Sequence, residues 1–109
     1  MPLIEIIGPQ DALAGRAPTE VLQAVNRAIA EALESPREDV AWSTWRSSDD
    51  SAIGYSEQPP APIVVHAYAQ RSPSEWDAIV AAIETTLGEQ MQLGNRPVLI
   101  TTQPFRVAL

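Results

Sequence analysis

The sequence predicts an α+β fold of duplicated β-α-β units, with two helices packed on one face of a four-stranded sheet. Three observations carry that prediction. Each half has a strand-like run, a helix-like run and a second strand-like run, in the order β-α-β-β-α-β. The halves also echo one another in short motifs at corresponding places. Finally, 109 residues with 45% hydrophobic and 19% charged content suit one globular domain, residues 1–109, able to bury a core without crosslinks.

The first strand is expected over residues 2–7, where Leu3, Ile4, Ile6 and Ile7 make an apolar run after Pro2. Gly8 to Gly15 reads as a loop punctuated by Gly and Pro. A helix follows from about Pro18 to Leu33. Pro18 suits the first helical position, and Val21, Leu22, Val25, Ala28, Ile29, Ala32 and Leu33 recur at helical spacing. Ser35-Pro36 ends it. Residues 40–46 (VAWSTWR) form the second strand candidate. Trp42 and Trp45 fall on opposite faces of that strand, one toward the helices and one toward a neighbouring subunit.

Ser47 to Pro62 is polar and turn-rich, long enough to carry a hairpin or cover a site, and Ala52 to Tyr55 could pair briefly as a strand. Ile63 to Ala69 is the third strand. His66 and Tyr68 alternate there with Val65 and Ala67, which puts both on the sheet face opposite the helices. Ser72-Pro73-Ser74-Glu75 is a capping box opening a helix to about Met91, with Trp76, Ile79, Val80, Ile83 and Leu87 inward. Gly94-Asn95 stops the chain's helical course, Val98 to Thr102 is the last strand, and residues 103–109 are expected to run extended at an edge.

The repeat covers about residues 2–46 and 62–102. Pro-Leu-Ile-Glu-Ile from Pro2 echoes Pro-Ile-Val-Val-His from Pro62, an offset of 62 − 2 = 60. Arg-Ala-Pro-Thr-Glu from Arg16 echoes Arg-Ser-Pro-Ser-Glu from Arg71, offset 71 − 16 = 55, and Val40 to Thr44 echoes Val98 to Thr102, offset 98 − 40 = 58. A longer first loop accounts for the five-residue difference.

Composition excludes several chemistries. There is no cysteine, so thiol catalysis, Cys-ligated zinc and disulfides are excluded. The single histidine cannot form a histidine metal cluster within one chain, and no metal or other cofactor is called for. All seven basic residues are Arg, which excludes lysine Schiff-base chemistry, and the net charge of −7 argues against a nucleic-acid or anionic-membrane partner. No leader-like or membrane-spanning apolar run is present, and a cytoplasmic location is expected.

Pro2 carries the main chemical possibility. Removal of Met1 would leave a secondary amine at the chain end, whose reference pKa of about 7.7–8.0 falls when the amine is buried. Such a group can serve as a general base near neutral pH. With Met1 retained, the same nitrogen is a tertiary amide, neither basic nor nucleophilic. Taken by itself, a proline second residue reads first as an ordinary strand start. Glu5 and Glu57 have no partner visible in the sequence and read as surface or interface groups.

Met-Pro, the duplicated β-α-β and an Arg before each helix together resemble the tautomerase superfamily, the group of 4-oxalocrotonate tautomerase and macrophage migration inhibitory factor. The resemblance spans nearly the whole chain, by pattern rather than by a long signature. It implies a homotrimeric enzyme in which Pro2 shuttles a proton between oxygen and carbon of a small 2-keto acid or its enol. It also implies an Arg for the substrate carboxylate: Arg71 by analogy with fused members, Arg16 by analogy with short ones. Short members carry another Arg where Ala41 stands here, and Arg46 is the nearest substitute. Fused dehalogenases use paired arginines where Gln70-Arg71 offers one, and no acidic or His partner for water activation matches. Tautomerisation is therefore favoured over dehalogenase- or decarboxylase-like activity. The resemblance further implies that His66 and Tyr68 line the inside of a trimer, and Trp45 or Phe105 is the expected aromatic wall beside Pro2. A catalytically inactive member with a structural or interaction role is the alternative. An unrelated ferredoxin-like module using its open sheet face is the rival outside the family.

Overall fold

The computed structural model describes residues 2–35, 41–48 and 61–105. Its elements are β1 (Leu3–Gly8), α1 (Pro18–Ala32), β2 (Trp42–Ser47), β3 (Ile63–Tyr68), α2 (Pro73–Gln90) and β4 (Val98–Gln103). They form one sheet of order β2-β1-β3-β4. β1 pairs with β2 in parallel and β3 with β4 in parallel, while the central β1–β3 ladder is antiparallel. The two parallel strands of each half are direct neighbours, so each β-α-β unit is unsplit. The expected brief strand over Ala52 to Tyr55 lies outside the described residues, as does Glu57.

Both helices cover one sheet face, and the core fills the space between. Period-two alternation sends Ile4, Ile6, Ile63, Val65 and Ala67 inward, where they meet Val21, Val25 and Ile29 of α1 and Ile79, Ile83 and Leu87 of α2. All but one of these residues are large aliphatics, and burying each contributes about 1.5–3 kcal/mol. The helices meet along small residues: Ala28 and Ala32 face Ala78 and Ala82 across a shallow groove with Glu31 and Glu89 on its rim. Thr86 is buried on α2 in place of the expected Val80, which is only half-buried, as are Trp76, Leu22, Ala28, Ala32 and Leu33.

Helix boundaries follow local chemistry. Ser72 caps α2: its hydroxyl accepts from the Glu75 N–H while the Glu75 carboxylate accepts from the Ser72 N–H. At the equivalent place in α1 stands Ala17, which offers no side-chain cap. α1 stops at Ala32, one residue before the expected Leu33, with Glu34 in the left-handed region at φ 55°. The first loop is not wholly irregular. Residues Gln10–Leu13 make a 3₁₀ turn that buries Ala12 and Leu13 under the core, and the Gln92 N–H donates to the Ala12 carbonyl at 3.0 Å. Arg96 ties the same end together through Asp11 and the Ala61 carbonyl. Among the described residues no helix is long and apolar enough to cross a membrane.

Candidate active site at the Pro2 end of the sheet

Strand direction sorts the candidate residues into two ends. Leu3 pairs with Tyr68 in the antiparallel ladder, so Pro2 falls opposite Ala69, and Gln70 and Arg71 follow directly. β4 runs parallel to β3 and brings Phe105 to the same end, where Gln70 Nε2 donates to the Phe105 carbonyl at 2.6 Å. β2 begins here too, and the Trp42 N–H donates to the Pro2 carbonyl at 2.9 Å. The Pro2 side chain is fully buried. This hydrogen bond and that burial fix the residue that leads into β1.

The other end holds Arg16, Arg46 and Trp45. Arg16 follows the 3₁₀ turn beyond Gly8, with its N–H on the Leu13 carbonyl. At a strand rise of about 3.3 Å per residue, Gly8 lies roughly 20 Å along the sheet from Pro2. Trp45 does not wall Pro2. It pairs with Ile6, lies over Gly8 and donates from Nε1 to Ser47 Oγ at 3.1 Å, which in turn donates to Gln10 Oε1 at 2.6 Å. Arg46 is committed elsewhere, donating to Glu5 Oε2 at 2.9 Å, and so Glu5 has the partner that the sequence did not reveal.

The exposed sheet face is ordered in three cross-strand rows. Nearest Pro2 are Trp42, Leu3, Tyr68 and Gln103; next come Thr44, Glu5, His66 and Thr101; then Arg46, Ile7, Val64 and Leu99. His66 and Tyr68 thus lie opposite the helices, and His66 Nδ1 sits 2.8 Å from Thr101 Oγ1. Among the described residues Trp42, 62% exposed, and Leu3 and Leu99 are exposed large apolar side chains on this face, while Ile7 and Val64 are half-buried there. Trp42 faces out and Trp45 packs against the core, as the alternation requires.

The repeated Arg-x-Pro-[Ser/Thr]-Glu motif resolves into an i,i+4 ion pair at the start of each helix. The two pairs differ in definition. Arg71 Nη1 meets Glu75 Oε2 at 3.1 Å with side chains 27% and 41% exposed, whereas Arg16 Nη1 and Glu20 Oε2 are 3.9 Å apart at 45% and 58%. Hydrogen bonds from the Ser72 backbone N–H and then its hydroxyl, with the Arg71 guanidinium adding to them, hold the Glu75 carboxyl below the usual carboxylate range. Glu75 and Gln70 also stand at this end. The sequence marked Glu75 only as half of a cap, although its i,i+4 spacing to Arg71 was an available signal, and Gln70 only as the residue in the place of a second arginine. Among the described residues no group of three or more His, Cys, Asp or Glu is placed to hold a metal ion.

No protein-family model matches the sequence, and comparison with curated proteins found no match either. Solved structures do match. Native fused 4-OT is 20% identical over 97% of this chain and 92% of its own, with a TM-score of 0.68. A fused 4-OT solved as a symmetric trimer is 18% identical over 97% and 91%, with a TM-score of 0.66. A member of the cis-3-chloroacrylic acid dehalogenase family is 10% identical over 94% and 74%, with a TM-score of 0.72. Unsplit β-α-β units, the mixed sheet and these likenesses agree: the chain has the fold of the tautomerase superfamily.

Proposed function

We propose that the chain, after removal of Met1, is a tautomerase acting on a small 2-keto-acid-type substrate. The neutral Pro2 nitrogen takes the proton from the enol oxygen. The C2–O bond becomes a carbonyl as the enol π pair collects a proton at C3, delivered by the same nitrogen, which returns to its neutral form. Arg71 anchors the substrate carboxylate through its planar fork, which has donors beyond the one given to Glu75. The observation that carries this reading is the antiparallel β1–β3 register, which sets buried Pro2 and Arg71 at one sheet end while Arg16 and Arg46 belong to the other. Burial of the pyrrolidine disfavours the charged amine and so favours a base that works near neutral pH. A homotrimer closed over the three exposed rows is part of the proposal, supported by the apolar Trp42, Leu3 and Leu99 on that face and by the trimeric fused 4-OT.

Ketonisation of phenylenolpyruvate tests the reading. Pro2→Ala is expected to lower kcat/KM by about 10²–10⁴-fold, and Arg71→Ala to raise KM by about 10–100-fold, the value of a charge-assisted hydrogen bond. Equal rates for wild type and Pro2→Ala would sink the mechanism. A larger effect from Arg16→Ala than from Arg71→Ala would move the carboxylate to the opposite end. An intact mass showing Met1 retained in the native protein would replace the enzyme by a non-catalytic protein of this fold.

A further inference from the structure

We infer that Glu75 is a positioning residue that presets the Arg71 guanidinium for the substrate carboxylate; this rests on the proposed role of Arg71. A lone i,i+4 ion pair on a helix surface is mobile and contributes little. This one differs because its carboxylate is itself immobilised. Oε1 accepts from the Ser72 N–H at 3.2 Å and the Ser72 hydroxyl at 3.0 Å, which leaves Oε2 facing Arg71 Nη1 at 3.1 Å. Both groups from Ser72 belong to the cap of an 18-residue helix packed on the core. The guanidinium is therefore referenced to a rigid element through two fixed atoms rather than through its own flexible stem.

The first half supplies an internal control within the same chain. Arg16 and Glu20 have the same spacing, but Ala17 replaces the capping serine, no side-chain cap forms, and the pair opens to 3.9 Å at higher exposure. The same motif is thus locked at the Pro2 end and loose at the other. An arginine side chain holds rotamer entropy that carboxylate binding must otherwise remove, and fixing it in advance lowers that cost.

Two variants and two measurements test the assignment. Glu75→Gln keeps an oxygen for the Ser72 donors and removes the negative charge that faces Arg71; Ser72→Ala keeps both charges and removes the hydroxyl lock. Pyruvate is titrated into each protein while the Arg71 Nε–H resonance is followed by NMR, and phenylenolpyruvate ketonisation is measured in parallel. The expected result is a pyruvate Kd and a KM raised by about 5-fold in Glu75→Gln and somewhat less in Ser72→Ala, with kcat changed less than about 2-fold. Unchanged or lowered Kd and KM in the folded variants would overturn the assignment. Should Glu75→Gln fail to fold, the Ser72→Ala values decide the matter alone. Pyruvate moving the Arg71 resonance in a protein without Pro2-dependent turnover would refute the tautomerase reading and leave the positioning role to be judged by Kd. An Arg71 resonance that pyruvate leaves unmoved in wild type would overturn both.

Discussion

Gly8→Ala is the perturbation that the packing resolves most sharply. Gly8 ends β1 on the helix-facing side, and a Cβ placed there would stand 2.6 Å from Ile63 Cδ1 and 3.2 Å from Trp45 Cη2. Carbon–carbon contacts are optimal at about 3.5–4.0 Å, so Ile63 must move by about 1 Å in a site where it is fully buried. Overpacking of this kind costs about 1–3 kcal/mol. Relief of glycine's conformational entropy in a strand returns about 0.5–1 kcal/mol. The net expectation is a loss of about 1–2 kcal/mol, or roughly 4–8 °C in Tm for a chain of this size. Thermal unfolding at fixed protein concentration measures it. Ile63→Val removes the colliding Cδ1 and by itself costs about 0.5–1.5 kcal/mol, yet it should make the glycine substitution cheaper. The double mutant is therefore expected to be more stable than the sum of the singles by about 0.5–1 kcal/mol. Strict additivity, or a higher Tm for Gly8→Ala alone, would refute the claim that Ile63 and Trp45 close on this glycine.

Acid lability should report the α2 cap. Glu75 has its folded pKa depressed chiefly by the Ser72 backbone hydrogen bond. Its contribution is thus complete above the unfolded value of about 4.3 and lost as pH falls through the lower folded one. Ser72→Ala is expected to cost about 1 kcal/mol at neutral pH and to flatten the Tm profile below pH 5 only in part, because the Ser72 N–H that chiefly depresses the Glu75 pKa remains; a profile parallel to wild type would contradict a share for the hydroxyl. On the open sheet face, Trp42→Lys together with Leu99→Asn should convert the proposed trimer to monomer in sedimentation without loss of far-UV circular dichroism. A trimer that survives both changes would mean that the subunits meet elsewhere.

Element types, sheet-face assignments and the helix starts were legible because they depend on local periodicity and capping. The alternation of His66 and Tyr68 with Val65 and Ala67 predicted their face correctly, and Ser72 with Glu75 marked the start of α2. What periodicity does not encode is which end of a sheet a residue occupies. That depends on strand order and direction, and so Trp45 could be expected beside Pro2 when it packs over Gly8. For the same reason the Glu5–Arg46 pair, made between residues 41 apart, had no signature in either strand. The 3₁₀ turn over Gln10–Leu13 was hidden by its own punctuation: Gly8, Pro9 and Gly15 signal irregular chain, whereas burial of Ala12 and Leu13 requires tertiary context. Glu75 was seen as half of a cap, while its second oxygen was available to an arginine one turn away.

The antiparallel seam between β1 and β3 has a consequence for the two repeats. It acts as a dyad that exchanges the halves, and so each chain has two related corners built with crossed ownership. One corner combines Pro2 of the first repeat with Arg71 of the second; the other combines Pro62 of the second with Arg16 of the first. Pro62 lies in mid-chain, where its nitrogen is an amide that can never be liberated by trimming. Duplication within one polypeptide therefore leaves a corner that is barred from amine chemistry, whatever residues surround it. That corner is also the one with the uncapped helix, the longer loop and the slack ion pair.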